Sequence, residues 1–255
     1  MLRRLLAWLP GAADERGDGP DPQARADRIR EIGRDPLQHG QAGTDEVLDA
    51  LEDRSPLVRA TAAEILGSVE VYHELVPADP LIGRLDDPDR EVRLAAARAL
   101  TITTDATAVD DVLPYALDDD PGVRAAGAVG LYHALTRVTY EFTPAQVEAL
   151  LDSVAAAGES RGSNPEDADL GREYLLATLD RGAAPQDLTD LDAERTATLV
   201  AALDDESAAV RAQAATLLGL VENDAARQAL RDARENDPDE RVRDAAADGL
   251  RNDTG

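Results

Sequence analysis

Three histidines, no cysteine and twice as many carboxylates as arginines bound the chemistry open to this 255-residue chain. Without a thiolate there is no disulfide, zinc–thiolate site, iron–sulfur cluster or cysteine nucleophile. His39 lies in LQHGQAG, read as a loop, while His73 in VYHEL and His133 in LYHAL each follow a tyrosine. Only His73 precedes a glutamate, so one His–Glu pair stands where a histidine–carboxylate metal centre needs several. No serine, histidine and aspartate suggest a nucleophilic triad, and no glycine-rich loop has the spacing to cradle a phosphate. The expectation is a protein with no catalytic residue, no metal and no cofactor. What recurs instead is a possible ion pair. Val-Arg dipeptides place Arg59, Arg93, Arg124, Arg211 and Arg243 at matching points, and six residues before each stands Asp53, Asp87, Asp118, Asp205 or Asp237.

The residues around each pair specify a helix. Four positions before the arginine is a helix-capping residue, Ser55, Asp89, Asp120, Ser207 or Asp239, followed twice by a proline suited to the first turn, Pro56 and Pro121. Four positions after it is always alanine (Ala63, Ala97, Ala128, Ala215, Ala247), and seven after it always leucine (Leu66, Leu100, Leu131, Leu218, Leu250). At about 100° per residue, valine, alanine and leucine form one stripe that must be buried, and the arginine falls within it. A buried guanidinium needs a carboxylate, and the recurrent aspartate is the candidate. Spacing leaves open whether it serves its own repeat or the next. A partner helix precedes each such segment, at 44–53, 79–87, 106–119, 143–158, 192–205 and 223–233. The arginines are separated by 34, 31, 87 and 32 residues (59 to 93, 93 to 124, 124 to 211, 211 to 243), and the long interval has room for two further degenerate units. Residues 164–179 read as the second helix of one of them. The fold class expected is all-α, a solenoid of about six antiparallel helix pairs.

The order Asp, Pro, Val-Arg, Ala, Leu resembles HEAT repeats, and among them the short bacterial and archaeal class related to phycobilin lyase subunits, over about residues 44–252. The resemblance implies a right-handed α-solenoid whose second helices line a concave face, acting as a non-enzymatic protein-binding scaffold or adaptor. It also implies an alternative, an auxiliary lyase-like subunit or chaperone factor that helps a client enzyme mature. The deoxyhypusine hydroxylase branch of the family holds two irons through several His–Glu pairs, a count this chain does not reach. A HEAT-like glycosylase holds DNA, but nucleic acid needs a positive footprint, and here acid outnumbers base.

Within the frame, the position five residues after the arginine points away from the stripe and varies in type: Glu64, Arg98, Val129, Thr216 and Asp248. A uniform frame with a changing outer row suits a binding surface, so these are the candidate partner contacts. The turn-rich stretch 158–169 is a candidate contact loop. Residues 1–23 form an N-terminal amphipathic segment and acidic linker, and 24–255 the solenoid. Leu2, Leu5, Leu6 and Leu9 share one helical face, read as a cap or a docking element, with weak membrane-surface contact by residues 1–10 as the other use. The sequence has no run long and apolar enough for a transmembrane segment, and the expected location is cytoplasmic. A net charge of −26, no lysine and an excess of aspartate resemble extreme halophiles and suggest an archaeon in molar salt, where short Debye lengths screen the self-repulsion of such a surface.

Overall fold

A computed structural model of the chain describes residues 21–69, 76–100, 106–160, 162 and 165–252. Residues 1–20, with the amphipathic segment and most of the linker, and His73 lie outside the described residues. Among the described residues fourteen helices follow one another: α1 (Pro22–Arg34), α2 (Pro36–Ala50), α3 (Pro56–Ser68), α4 (Asp79–Ile82), α5 (Arg90–Ala99), α6 (Thr107–Ala116), α7 (Pro121–Ala134), α8 (Pro144–Ser160), α9 (Pro165–Gly182), α10 (Pro185–Thr189), α11 (Ala193–Ala202), α12 (Ala208–Leu218), α13 (Asp224–Asn236) and α14 (Glu240–Asn252). No strand occurs among the described residues.

The helices form an α-solenoid of two layers. Helices α1, α3, α5, α7, α9, α12 and α14 each pack on the next to make the layer of signature helices. The second layer holds their partners α2, α4, α6, α8, α11 and α13, giving six pairs led by the extra helix α1. The 87-residue interval holds one added pair, not two. Its helices α8 and α9 run to 17 and 18 residues and, with the connector α10, take up the space. Two further expectations need correction. The partner helix expected at 79–87 is a single helical turn, α4, and His39 sits in α2 rather than a loop, one residue before the chain bends at Gly40 with φ +56°.

The local chemistry explains where helices start. Asp89 accepts from the amides of Glu91 and Val92, Asp120 from those of Gly122 and Val123, and Ser207 from that of Val210. These bonds satisfy donors that the first turn leaves unpaired. The interior is thin, and Leu66, Leu100, Leu131 and Leu218 are fully buried among alanines. Small residues let helices approach closely. A Cβ on Gly127 would lie 2.2 Å from the backbone of Tyr115 and Ala116, and one on Gly249 would lie 2.8 Å from Cα of Gly219.

The signature arginines before the last reach beyond their own repeat. In all five, Nη1 donates to the main-chain carbonyl of the aspartate six residues back, at 2.7–2.9 Å. That aspartate's Oδ1 accepts from the amide two residues on, also five times, which locks the turn. The other edge of the guanidinium reaches the next repeat. Arg59 Nε and Nη2 donate to Asp87 at 2.8 and 2.7 Å, and Arg211 does the same to Asp237 at 2.8 and 3.0 Å. Burial opposes ionisation of Asp87, but Arg59 and the Asp89 amide outweigh it and hold its pKa below the ordinary value. Two more rungs use arginines outside the Val-Arg pattern. Arg25 on α1 makes a paired bond to Asp53 at 2.9 Å, and Arg172 on α9 donates to Asp205 at 2.8 Å.

The ladder breaks in the middle. Asp118 is exposed and takes neither Arg93 nor Arg124 through its carboxylate. Arg93 lies 3.9 Å from Asp167 of α9, while Arg90 takes that carboxylate at 2.6 Å. Arg124, 4% exposed, donates instead to Ser160 Oγ at 2.8 Å and to the Ala156 carbonyl at 3.4 Å, at the C-terminal end of α8. A helix C-terminus carries partial negative charge, so it can stand in for a carboxylate. Burial still pushes the Arg124 pKa down.

At the last repeat Arg243 keeps only its bonds to the carbonyls of Asp237 and Pro238. Replacing Arg211 with alanine strands the carboxylate of Asp237 and is expected to cost about 3 kcal/mol. Arg243→Ala removes only bonds to carbonyls and is expected to cost about 1 kcal/mol. Chemical denaturation of the two variants measures the difference, and equal losses would show that the inter-repeat pair contributes nothing.

Candidate partner-binding surface

The five outer-row positions do not form one surface. Glu64, Arg98, Thr216 and Asp248 are exposed, Thr216 bonding its own helix through the Ala212 carbonyl and Asp248 pairing with Arg251. Val129 is 1% exposed and is withdrawn as a contact residue. Helix α7 is enclosed between α5, α6 and α9, so every residue from Arg124 to Leu131 is buried and no outward face remains there. The stretch 158–169 is also less of a loop than expected. It is largely the end of α8 and the start of α9, and Asp167 within it is 4% exposed and committed to Arg90.

Of the row, Arg98 is the member whose charge acts on a cluster of other groups with recognition chemistry. Where α7 emerges from its enclosure, Tyr132 and His133 meet Tyr174 and Arg181 of α9. The Tyr132 and Tyr174 rings pack edge to face, with centroids 5.3 Å apart at 80°. His133 lies 5.6 Å from Tyr132 and 6.2 Å from Tyr174. The Arg181 guanidinium sits 4.9 Å above the Tyr132 ring, and its Nη2 donates to Tyr132 Oη at 3.3 Å. This is cation–π stacking with a hydrogen bond across it. Arg98 acts from the neighbouring helix α5. Burial lowers the His133 pKa and the charge of Arg98 lowers it further. Burial raises the Tyr174 pKa, Glu173 adds to that and Arg98 opposes it.

The patch thus brings together three rings and the stacked guanidinium of Arg181. Tyrosine and arginine on a preformed surface are the residues that anchor protein interfaces. The sequence signal was weak because the members occupy different offsets on three helices. LYHAL on α7 and REYLL on α9 share only a tyrosine, and their juxtaposition depends on the unusual length of α9.

Elsewhere, an open groove of about 460 Å³ between α11 and α13 includes Arg211 and Asp237 in its lining, which already satisfy each other. Among the described residues no group of three or more histidines and carboxylates is placed to hold a metal, and no helix is long and apolar enough to cross a membrane.

Three overlapping or adjacent segments, residues 44–132, 78–161 and 179–251, match the family model described as HEAT repeats. No curated protein matches the chain. Among solved structures, one engineered protein is similar at 19% identity and TM-score 0.55, covering 82% of this chain and 95% of its own. A second engineered protein is similar at 15% identity and TM-score 0.53, covering 82% and 98%. These two show a shared fold. Human deoxyhypusine hydroxylase, in complex with glycerol, aligns at 18% identity and TM-score 0.34 over 90% of this chain and 97% of its own.

The His133 assignment can be checked directly. Because the folded-state pKa is depressed, the ring stays neutral as pH falls past the ordinary value of 6.5, and the stability tied to the neutral ring is full above 6.5 and is lost as pH falls below it. NMR titration is expected to show His133 titrating below 6.5. Arg98→Ala should move it part of the way back up, since burial is the larger cause; an unmoved value would place Arg98 too far away to belong to the patch.

Proposed function

The chain belongs to the HEAT-repeat family, and we propose that it is a non-enzymatic protein-binding scaffold whose partner rests on the signature-helix layer, centred on Tyr132, Tyr174, Arg98 and Arg181. A solenoid of uniform repeats supplies a rigid extended surface, and specificity then falls to the few positions where the frame changes. The observation that carries this reading is the patch itself. It is the place where two tyrosines and a guanidinium stacked on one of them meet, beside the helix pair that departs most from the repeat.

The reading is supported by what the site lacks for other work. The ligand set for a His–Glu metal centre is short, and among the described residues no carboxylate or hydroxyl is bonded to the His133 ring to make it a general base. Affinity purification from the native host tests the proposal. The wild-type chain is expected to retain a stoichiometric protein partner that the Tyr132→Ala/Arg181→Glu variant loses and a Glu64→Arg variant keeps, with melting temperatures of the Arg181→Glu single variant and wild type within a few degrees. Retention of the same partner by all variants would move the binding surface elsewhere.

A further inference from the structure

One face of α9 carries the patch at one end and an ion pair at the other. At about 100° per residue, Asp167, Gly171, Tyr174, Thr178 and Arg181 fall within about 80° of one another, a single stripe along that helix. Tyr174 packs edge to face on Tyr132, and Arg181 stacks on the same ring. Gly171 lies against α7, where an added Cβ would sit 3.5 Å from Cα of Ala125. At the head of the stripe Asp167, 4% exposed, accepts from Arg90 Nε at 2.6 Å, and Arg93 Nη2 stands 3.9 Å away. This bond joins residues 77 apart and runs from α5 to α9 past the intervening helix α7. The regular rungs join residues only 26 to 33 apart.

The rest of the stripe sets the rotation of α9 poorly. Gly171 and Ala125 meet as a smooth surface, and Thr178 Oγ1 is buried with no hydrogen-bond partner among the described residues. Arg172 bonds Asp205 and so ties α9 to the repeat that follows, not to α5 or α7. A charge-assisted bond at Asp167 is directional and resists turning. The tolerance it must keep is small. A side-chain tip lies about 5 to 6 Å from the helix axis, so a turn of about 20° carries it about 2 Å. Neither the 3.3 Å bond from Arg181 to Tyr132 Oη nor the 4.9 Å stacking distance survives such a shift.

We propose that Asp167, held by Arg90, is a positioning residue for the patch and sets the rotation of α9 that brings Tyr174 and Arg181 onto Tyr132. Asp167 lies two helical turns, about 10 Å, from Tyr174, so its effect passes through the backbone of α9. The consequence for partner binding rests on the scaffold reading, since a recognition surface works only where its supporting side chains hold it to within about 0.5 Å.

The test reads the ring geometry of the full chain without a partner. The chain has three histidines, so selectively labelled histidine reports His133 by NMR, and its ring protons feel the ring currents of Tyr132 and Tyr174 at 5.6 and 6.2 Å. Asp167→Asn and Arg90→Gln are each expected to move these signals most of the way to those of free histidine. The double variant is expected to move them no further, because both changes remove one interaction. Arg90 is the more exposed partner, so Arg90→Gln reports even if Asp167→Asn fails to fold. Arg211→Gln breaks a rung of the same kind at α12 and is expected to lower the melting temperature while leaving the His133 signals in place. Unmoved signals in Arg90→Gln overturn the proposal, as does equal movement in Arg211→Gln, which would show a general loosening of the fold. In affinity purification Asp167→Asn and Arg90→Gln are expected to retain about tenfold less partner, the loss of about one good contact. Shifted signals with full partner retention leave the positioning role standing and remove the patch as the partner's site.

Discussion

An arginine among alanine and leucine side chains can exist in this solenoid because the next repeat brings a carboxylate to it. The guanidinium has two edges, and the fold uses both. One edge holds the turn of its own repeat through a main-chain carbonyl, and the other grips the aspartate that locks the following turn. Each repeat therefore positions its successor by a directional, bidentate bond, while the alanine–leucine stripe supplies non-directional burial. Stripes this smooth would tolerate sliding of one helix past another. The ladder of Arg25–Asp53, Arg59–Asp87, Arg172–Asp205 and Arg211–Asp237 fixes the register.

The interest of the molecule lies where that ladder fails. Between Arg93 and Arg172 no turn aspartate reaches the preceding signature arginine in the regular way. Arg124 is held by the C-terminal carbonyl end of α8 and a serine hydroxyl, and Arg90 and Arg93 share Asp167 from a helix two positions along the stack. These substitutes require longer helices, and longer helices enclose α7. Its enclosure is what removes Val129 from the surface and brings α9 beside the end of α7, where the tyrosines and Arg181 meet. The candidate site and the irregularity of the frame thus have one cause.

Much of this was legible in the residues. Five copies of the same arginine, aspartate, cap, alanine and leucine at fixed offsets leave little choice of helix position, and the helices lie where those offsets put them. Arg25 was invisible because its repeat has Gly19 in place of the aspartate and Ala24 in place of the valine, although its distance to Arg59 equals that from Arg59 to Arg93. Arg172 was hidden for another reason: it sits a full turn farther from its helix start than the pattern allows. The direction of the pairing, to the next repeat, is a property of how turns stack and not of spacing within a repeat. The patch escaped because the outer-row argument treats every signature helix as equally exposed, and enclosure of α7 is set by the lengths of α8 and α9 several tens of residues away.

A double-mutant cycle on Arg59 and Asp87 tests the central claim most directly, with unfolding free energies measured for Arg59→Ala, Asp87→Ala and the pair together. The account expects each single change to strand a buried group and the double change to cost far less than their sum, a coupling of at least about 2 kcal/mol. Additive losses, with coupling below about 0.5 kcal/mol, would mean that apolar packing alone sets the stack and that the ladder is incidental to it.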